Sequence, residues 1–161
     1  MKVKFQGNEV TLKGKEIKVG DVVPNFVVLD NGLSPVNSKD FKGKRVYVSV
    51  PSIDTGVCDM EVRKFNEAAA KLKDTKIYTI SMDLPFAQAR WCGNAGIEDV
   101  KTLSDFKDRN FGEAFGTYIE ELGLLTRAVF VVDENDKVVH VEYCAEVTSE
   151  PDYEAALNAL K

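Results

Sequence analysis

The stretch RVYVSV, residues 45–50, with Pro51 immediately after it, constrains the fold of this chain more than any other. Apart from Arg45 and Ser49 it is β-branched and aromatic, which is the pattern of a buried strand. Proline has no N–H to continue a ladder, so the strand must stop at a loop. Downstream the period changes: Val62, Phe65, Ala69 and Leu72 recur at helical spacing, while Arg63, Lys64, Glu67 and Lys71 occupy the opposite face. A buried strand feeding an amphipathic helix predicts a layered α/β architecture, with helices packed on a central sheet.

The rest of the chain agrees with that reading. KVKFQGNEVTLKG reads as an N-terminal β-hairpin turning around Gly7 and Asn8. FVVL (26–29) is a short strand, followed by the polar loop NGLSPVNSKDFKGK. KIYTISM (76–82) is a strand, and a short helix begins near Asp83, suited to a cap, and Pro85, suited to a first turn. That helix is expected to end about Trp91, Cys92 and Gly93. Val100 to Leu103 forms another strand, and FKDRNFGEAFG leads into a hairpin made of AVFVVD, the turn ENDK and VVHVEY. Ser149, Glu150 and Pro151 open a last helix with Tyr153, Leu157 and Leu160 on one stripe. With 161 residues, 44% of them hydrophobic, residues 1–161 make one domain with a sizeable core.

Charge and cysteine usage narrow the setting. A net charge of −5 gives no basic footprint for nucleic acid or an acidic membrane surface. MKVKFQGNEV lacks the apolar run of an export signal, and no later run approaches membrane-spanning length. Three widely spaced cysteines resemble neither a disulfide scaffold nor a paired zinc-ligand motif. The expectation is a cytoplasmic protein in which any disulfide belongs to a working cycle. One histidine, His140, is too few for a zinc site, and neither C-x-x-C nor a glycine-rich phosphate loop is present, so no cofactor or metal is expected.

The chemistry concentrates in PSIDTGVCDMEVRKF, residues 51–65, where a loop becomes a helix at Cys58. A lone cysteine is commonly a small apolar residue in a core. At a helix N-terminus, however, unpaired N–H groups and the positive dipole end favour the thiolate, the form that attacks. Pro51, Thr55 and Cys58 form P-x-x-x-T-x-x-C, a spacing that resembles the active-site signature of peroxiredoxins. The framework GDVVPNF and DFKGKRVYVSVPS is similar to theirs. PSIDTGVCDMEVRKFNE, SMDLPFAQARWCG, TRAVFVVDEND and TSEPDYEAAL together closely resemble the thiol peroxidase family, an atypical two-cysteine branch.

That resemblance implies a thioredoxin-like sandwich, peroxide reduction at Cys58, a resolving cysteine at Cys92 in ARWCG, re-reduction by thioredoxin or a similar dithiol protein, and a homodimer. It also matches Arg127, in TRAVFVV, to the family's active-site arginine; alone it would read as a strand-end charge. Thr55 is expected to orient the peroxide through its hydroxyl, to cap the helix, or both. Pro51 would shape the loop and shield the sulfur. Glu61 is expected to face solvent in the first helical turn, since inside the pocket its charge would oppose the thiolate. Cys144, in VVHVEYCAEV, matches no active-site block and is assigned a structural position. Two rival functions use the same residues: a peroxide-sensing or chaperone-like redox switch, and a general dithiol–disulfide oxidoreductase, disfavoured by the missing C-x-x-C.

Overall fold

The computed structural model describes residues 1–72, 74–96 and 100–161. Strands β1 (Lys2–Phe5) and β2 (Asn8–Lys13) form the expected N-terminal hairpin, with Phe5 opposite Asn8. The turn is Gln6–Gly7, one residue earlier than expected. Both residues have positive φ, 51° and 83°, the geometry of a two-residue turn whose twist matches that of the strands. Then come β3 (Val27–Leu29), β4 (Pro35–Asn37), β5 (Lys44–Ser49), helix α1 (Gly56–Lys71), β6 (Thr75–Ser81), α2 (Pro85–Ala95), β7 (Val100–Ser104) and α3 (Asn110–Phe115). The chain closes with β8 (Tyr118–Ile119), β9 (Leu124–Leu125), β10 (Ala128–Val132), β11 (Val138–Tyr143) and α4 (Tyr153–Asn158).

Among the described residues the main sheet has seven strands in the order β11-β10-β5-β6-β7-β3-β4, and a smaller sheet pairs β1-β2-β8-β9. The centre is parallel, β5 to β6 to β7, and the flanking pairs are antiparallel. It is the central sheet of the expected α/β sandwich, mixed in strand direction.

Strand alternation sorts the core into two layers. Val46 and Val48 of β5 and Val129 and Val131 of β10 face a layer shared with Val62 and Phe65 of α1 and Ala156 of α4. Tyr47, Phe130 and Val132 point the other way, among Phe26, Phe111 and Phe115. There Phe111 and Phe115 stack at 4.4 Å, and Phe26 meets both edge-on. Cys58 belongs to the α1 layer and is fully buried.

Several boundaries differ from expectation for physical reasons. α2 continues past Trp91–Gly93 to Ala95 and stops at Gly96, whose φ of 68° suits the left-handed C-terminal position. FKDRNFGEAFG contains α3, anchored by Asp105, which accepts from the N–H groups of Phe111 (3.0 Å) and Gly112 (2.8 Å). The polar loop after β3 includes β4, and α4 is capped by Asp152, which accepts from Ala155 N–H, two to three residues after the expected start. The side chain of Ala69, expected on the α1 stripe, lies outside the described residues.

Candidate active site

Residues 51–55 leave the end of β5 with Pro51 buried. Asp83, just after β6, fastens this loop from below. Its Oδ1 accepts from Ser52 Oγ at 2.7 Å, and its Oδ2 from Ile53 N–H at 2.9 Å and Ser81 Oγ at 2.7 Å. Asp83 is therefore not the cap of α2, where Leu84 holds that position without a side-chain bond. Its short acceptor is spent on the cysteine loop, a use visible only once β5 and β6 are side by side.

Thr55 precedes the first residue of α1 and caps it. Its hydroxyl accepts from Cys58 N–H at 3.2 Å and donates to Ser52 C=O at 3.3 Å, and its own C=O takes the first helical bond from Asp59 at 2.9 Å. Thr55 is solvent-exposed, so the hydroxyl sits at the rim of the buried sulfur. Cys58, in the first turn of α1, lies in the field of that helix N-terminus.

Arg127 sits immediately before β10. It lies two residues before Val129, so alternation turns it to the α1 layer, where it is almost completely buried. Its Nη2 donates to Cys58 Sγ at 3.0 Å, its Nη1 to Glu61 Oε2, and its Nε to Val147 C=O at 2.6 Å. Three nitrogens with three partners fix the guanidinium plane.

Glu61 does not face solvent: it is fully buried and paired with Arg127. Three residues after Cys58, it continues the buried stripe of Val62 and Phe65, and that spacing was the available signal. Burial pushes its carboxyl up to about 7, against the opposing pull of Arg127. Its Oε1 has no hydrogen-bond partner among the described residues.

Cys144 is also closer to the chemistry than its place in the sequence implies. β10 and β11 pair antiparallel with Ala128 opposite Tyr143, and Cys144 N–H donates to Arg127 C=O at 3.0 Å. The pair shares one sheet face. Burial, followed by the negative charge of Glu142, raises its thiol to about 12.

Cys92 lies on α2, half-buried, 3.4 Å from Thr102 Oγ1 of β7, and all three cysteines are free. The structure thus joins Cys58, Thr55 and Arg127, sets Pro51 at the base of their loop, and keeps Cys92 on a neighbouring helix. A groove of about 600 Å³ lies between the loop and α2, lined by residues that include Asp54, Phe86, Arg90 and Trp91. Among the described residues no group of three or more His, Cys, Asp or Glu side chains is placed to hold a metal ion.

The Redoxin family matches residues 18–157, nearly the whole α/β unit. Over 160 residues the sequence is 59% identical to a thiol peroxidase of Bacillus subtilis (strain 168), covering 99% of this chain and 96% of that one. The chain belongs to the thiol peroxidase family of redoxins. A thiol peroxidase of Clostridium acetobutylicum is 57% identical over 161 residues, 100% of this chain and 98% of its own. Among solved structures, a peroxiredoxin-like protein from Aquifex aeolicus superposes with a TM-score of 0.90 at 40% identity, over 99% of this chain and 95% of that one. A thiol peroxidase from Chromobacterium violaceum superposes at 0.91 with 21% identity, over 99% and 95%, which speaks to the fold. The thiol peroxidase fold is therefore the setting of the Cys58–Arg127 pair. No helix among the described residues is long and apolar enough to cross a membrane.

Proposed function

We propose that this chain is a thiol-dependent peroxidase that reduces hydrogen peroxide and alkyl hydroperoxides at Cys58 and defends against oxidative damage. The observation that carries this reading is the bond from Arg127 Nη2 to Cys58 Sγ, 3.0 Å long, at the N-terminal turn of α1. A buried sulfur with a fixed cation and a helix N-terminus beside it is favoured as thiolate. The thiolate attacks one peroxide oxygen, the O–O bond breaks, the leaving oxygen takes a proton, and Cys58 becomes a sulfenic acid. Charge moves from sulfur to the leaving oxygen within reach of the same guanidinium, which supports Arg127 as donor to both. Thr55, at the rim, would orient the peroxide by turning its O–H away from Ser52.

Cys92 is the resolving thiol in this reading. It attacks the Cys58 sulfenic sulfur, water leaves, and a Cys58–Cys92 disulfide forms that thioredoxin or a similar dithiol protein reopens. Both cysteines are free and held on separate helices in the reduced form, so the first turn of α1 would open locally for them to meet. A reducing cytoplasm and a homodimer complete the proposal, on the strength of the odd number and wide spacing of the cysteines and of the family resemblance. An intact mass and a peptide map after one equivalent of peroxide test it: the expected product is one intramolecular Cys58–Cys92 disulfide. An unmodified Cys58 would overturn it.

A further inference from the structure

The guanidinium of Arg127 faces two groups that can each carry a negative charge. One η nitrogen serves Cys58 and the other serves Glu61, and all three side chains are buried. Glu61 has one oxygen on Arg127 and the other, Oε1, without a hydrogen-bond partner among the described residues. A carboxylate in that state is short of donors, whereas a carboxylic acid with its proton on the unbonded oxygen loses far less to burial.

The surrounding elements bring further charges, with Lys64 of α1 paired to Glu150 at 3.3 Å and lying over the Tyr153 ring. Glu142 on β11 and Glu150 before α4 act on Glu61 in the same direction as burial. Tyr153 on α4 and Cys144 after β11 feel the charge of Glu61 in turn, and Arg127 is the cation that offsets it. Among the described residues Arg127 is the cation bonded to both Cys58 and Glu61, and one guanidinium between two buried acids favours one negative charge over two.

We infer that Cys58 and Glu61 hold a single negative charge between them across Arg127, and that Glu61 carries a proton while Cys58 is the thiolate and gives it up when Cys58 is oxidised. The step balances without solvent: Cys58 thiolate, Glu61 carboxylic acid and peroxide ROOH yield Cys58 sulfenic acid, Glu61 carboxylate and ROH. The S–O bond forms, the O–O bond breaks, sulfur is oxidised and peroxide is reduced; the leaving oxygen gains one proton and Glu61 releases one, so the net draw on solution is zero. Arg127 remains paired with one anion throughout. Glu61 is a positioning residue in this scheme, acting through Arg127 and setting how many protons the reaction draws from solution. The burial that raises the Glu61 carboxyl to about 7 is in accord with it.

This rests on Cys58 being the thiol that peroxide oxidises, and the test keeps the two ideas separate. Reduced protein in weak buffer with a pH indicator is mixed with one equivalent of hydrogen peroxide, at a pH where ultraviolet absorbance shows a whole Cys58 thiolate disappearing on oxidation. The wild type should take up close to no proton per Cys58 oxidised, and Glu61→Gln, which keeps an acceptor for Arg127 but has no proton to give, should take up about one. Uptake of about one proton by the wild type, with Cys58 identified as the oxidised residue by mass, overturns the inference alone and needs no variant to fold. Oxidation at a cysteine other than Cys58 overturns both the inference and the reading beneath it.

Discussion

Trp91 Nε1 donates to Asp59 Oδ1 at 3.0 Å, and these two residues are the chain neighbours of Cys92 and Cys58. Arg63 completes the clasp, bonding Asp59 Oδ2 at 3.0 Å and lying 5.8 Å from the Trp91 ring centre. The clasp ties the first turn of α1 to α2, so any opening of that turn strains or breaks it.

Trp91→Phe removes the donor and keeps most of the ring. A hydrogen bond to a half-exposed carboxylate is worth about 1 kcal/mol, so opening α1 should become about fivefold easier. Disulfide closure after oxidation should quicken by a similar factor in acid-quenched samples analysed by mass. An unchanged closure rate would mean that the clasp does not limit the opening.

Arg127→Lys keeps a cation for Glu61 but cannot reach Cys58, Glu61 and Val147 at once. The peroxide step should slow about a hundredfold, the scale of losing one fixed donor at a developing charge. Stopped-flow oxidation measures the rate. Circular dichroism checks that the fold survives.

Cys92→Ser should leave the first oxidation fast and abolish sustained turnover with a dithiol reductant. Without a resolving thiol, Cys58 stays a sulfenic acid and advances to sulfinic acid as peroxide rises. Mass spectrometry follows both products. Wild type that forms its disulfide with Cys92 still free would remove Cys92 from the cycle.

Cys144→Ser should retain near-normal turnover, although Cys144 sits directly beside Arg127. Burial keeps its thiol neutral far above neutral pH, and a neutral thiol is a poor nucleophile. A loss of turnover above about tenfold, with the fold intact, would make Cys144 a third participant.

Glu61 also predicts a pH slope in stability. Its carboxyl is raised from 4.5 to about 7, so the folded state holds a proton that the unfolded chain has released. The stability this contributes is fully present below about 4.5 and is lost as pH rises through about 7. Denaturant titrations of reduced wild type should show that fall between these limits, and Glu61→Gln should lack this component.

Much of the fold can be read from the chain because it depends on local periodicity. Residues 45–49 and 128–132 form the strands that RVYVSV and AVFVVD predict, and Val62 and Phe65 lie on the predicted helix face. α3 was less legible: its phenylalanines crowd six residues, and its N–H groups are anchored by Asp105, outside the helix itself. β8 and β9 are two residues each, too short to show a period.

The sequence by itself determined the setting of the proposed nucleophile, because Pro51, Thr55 and Cys58 lie within one loop and one helical turn, where chain connectivity sets their spacing. Glu61 was expected in solvent and is buried, because its i, i+3 relation to Cys58 puts it on the same helix face. Tertiary structure alone decided which groups share Arg127. The guanidinium arrives from the residue just before β10, 69 residues away from Cys58, and only the pairing of β10 with β5 and β11 brings it beneath α1 with Cys144 at its back. Local pattern fixes which way a side chain points along its own element; which charge it meets there depends on sheet order, and the electrostatics of a buried site follow from that meeting.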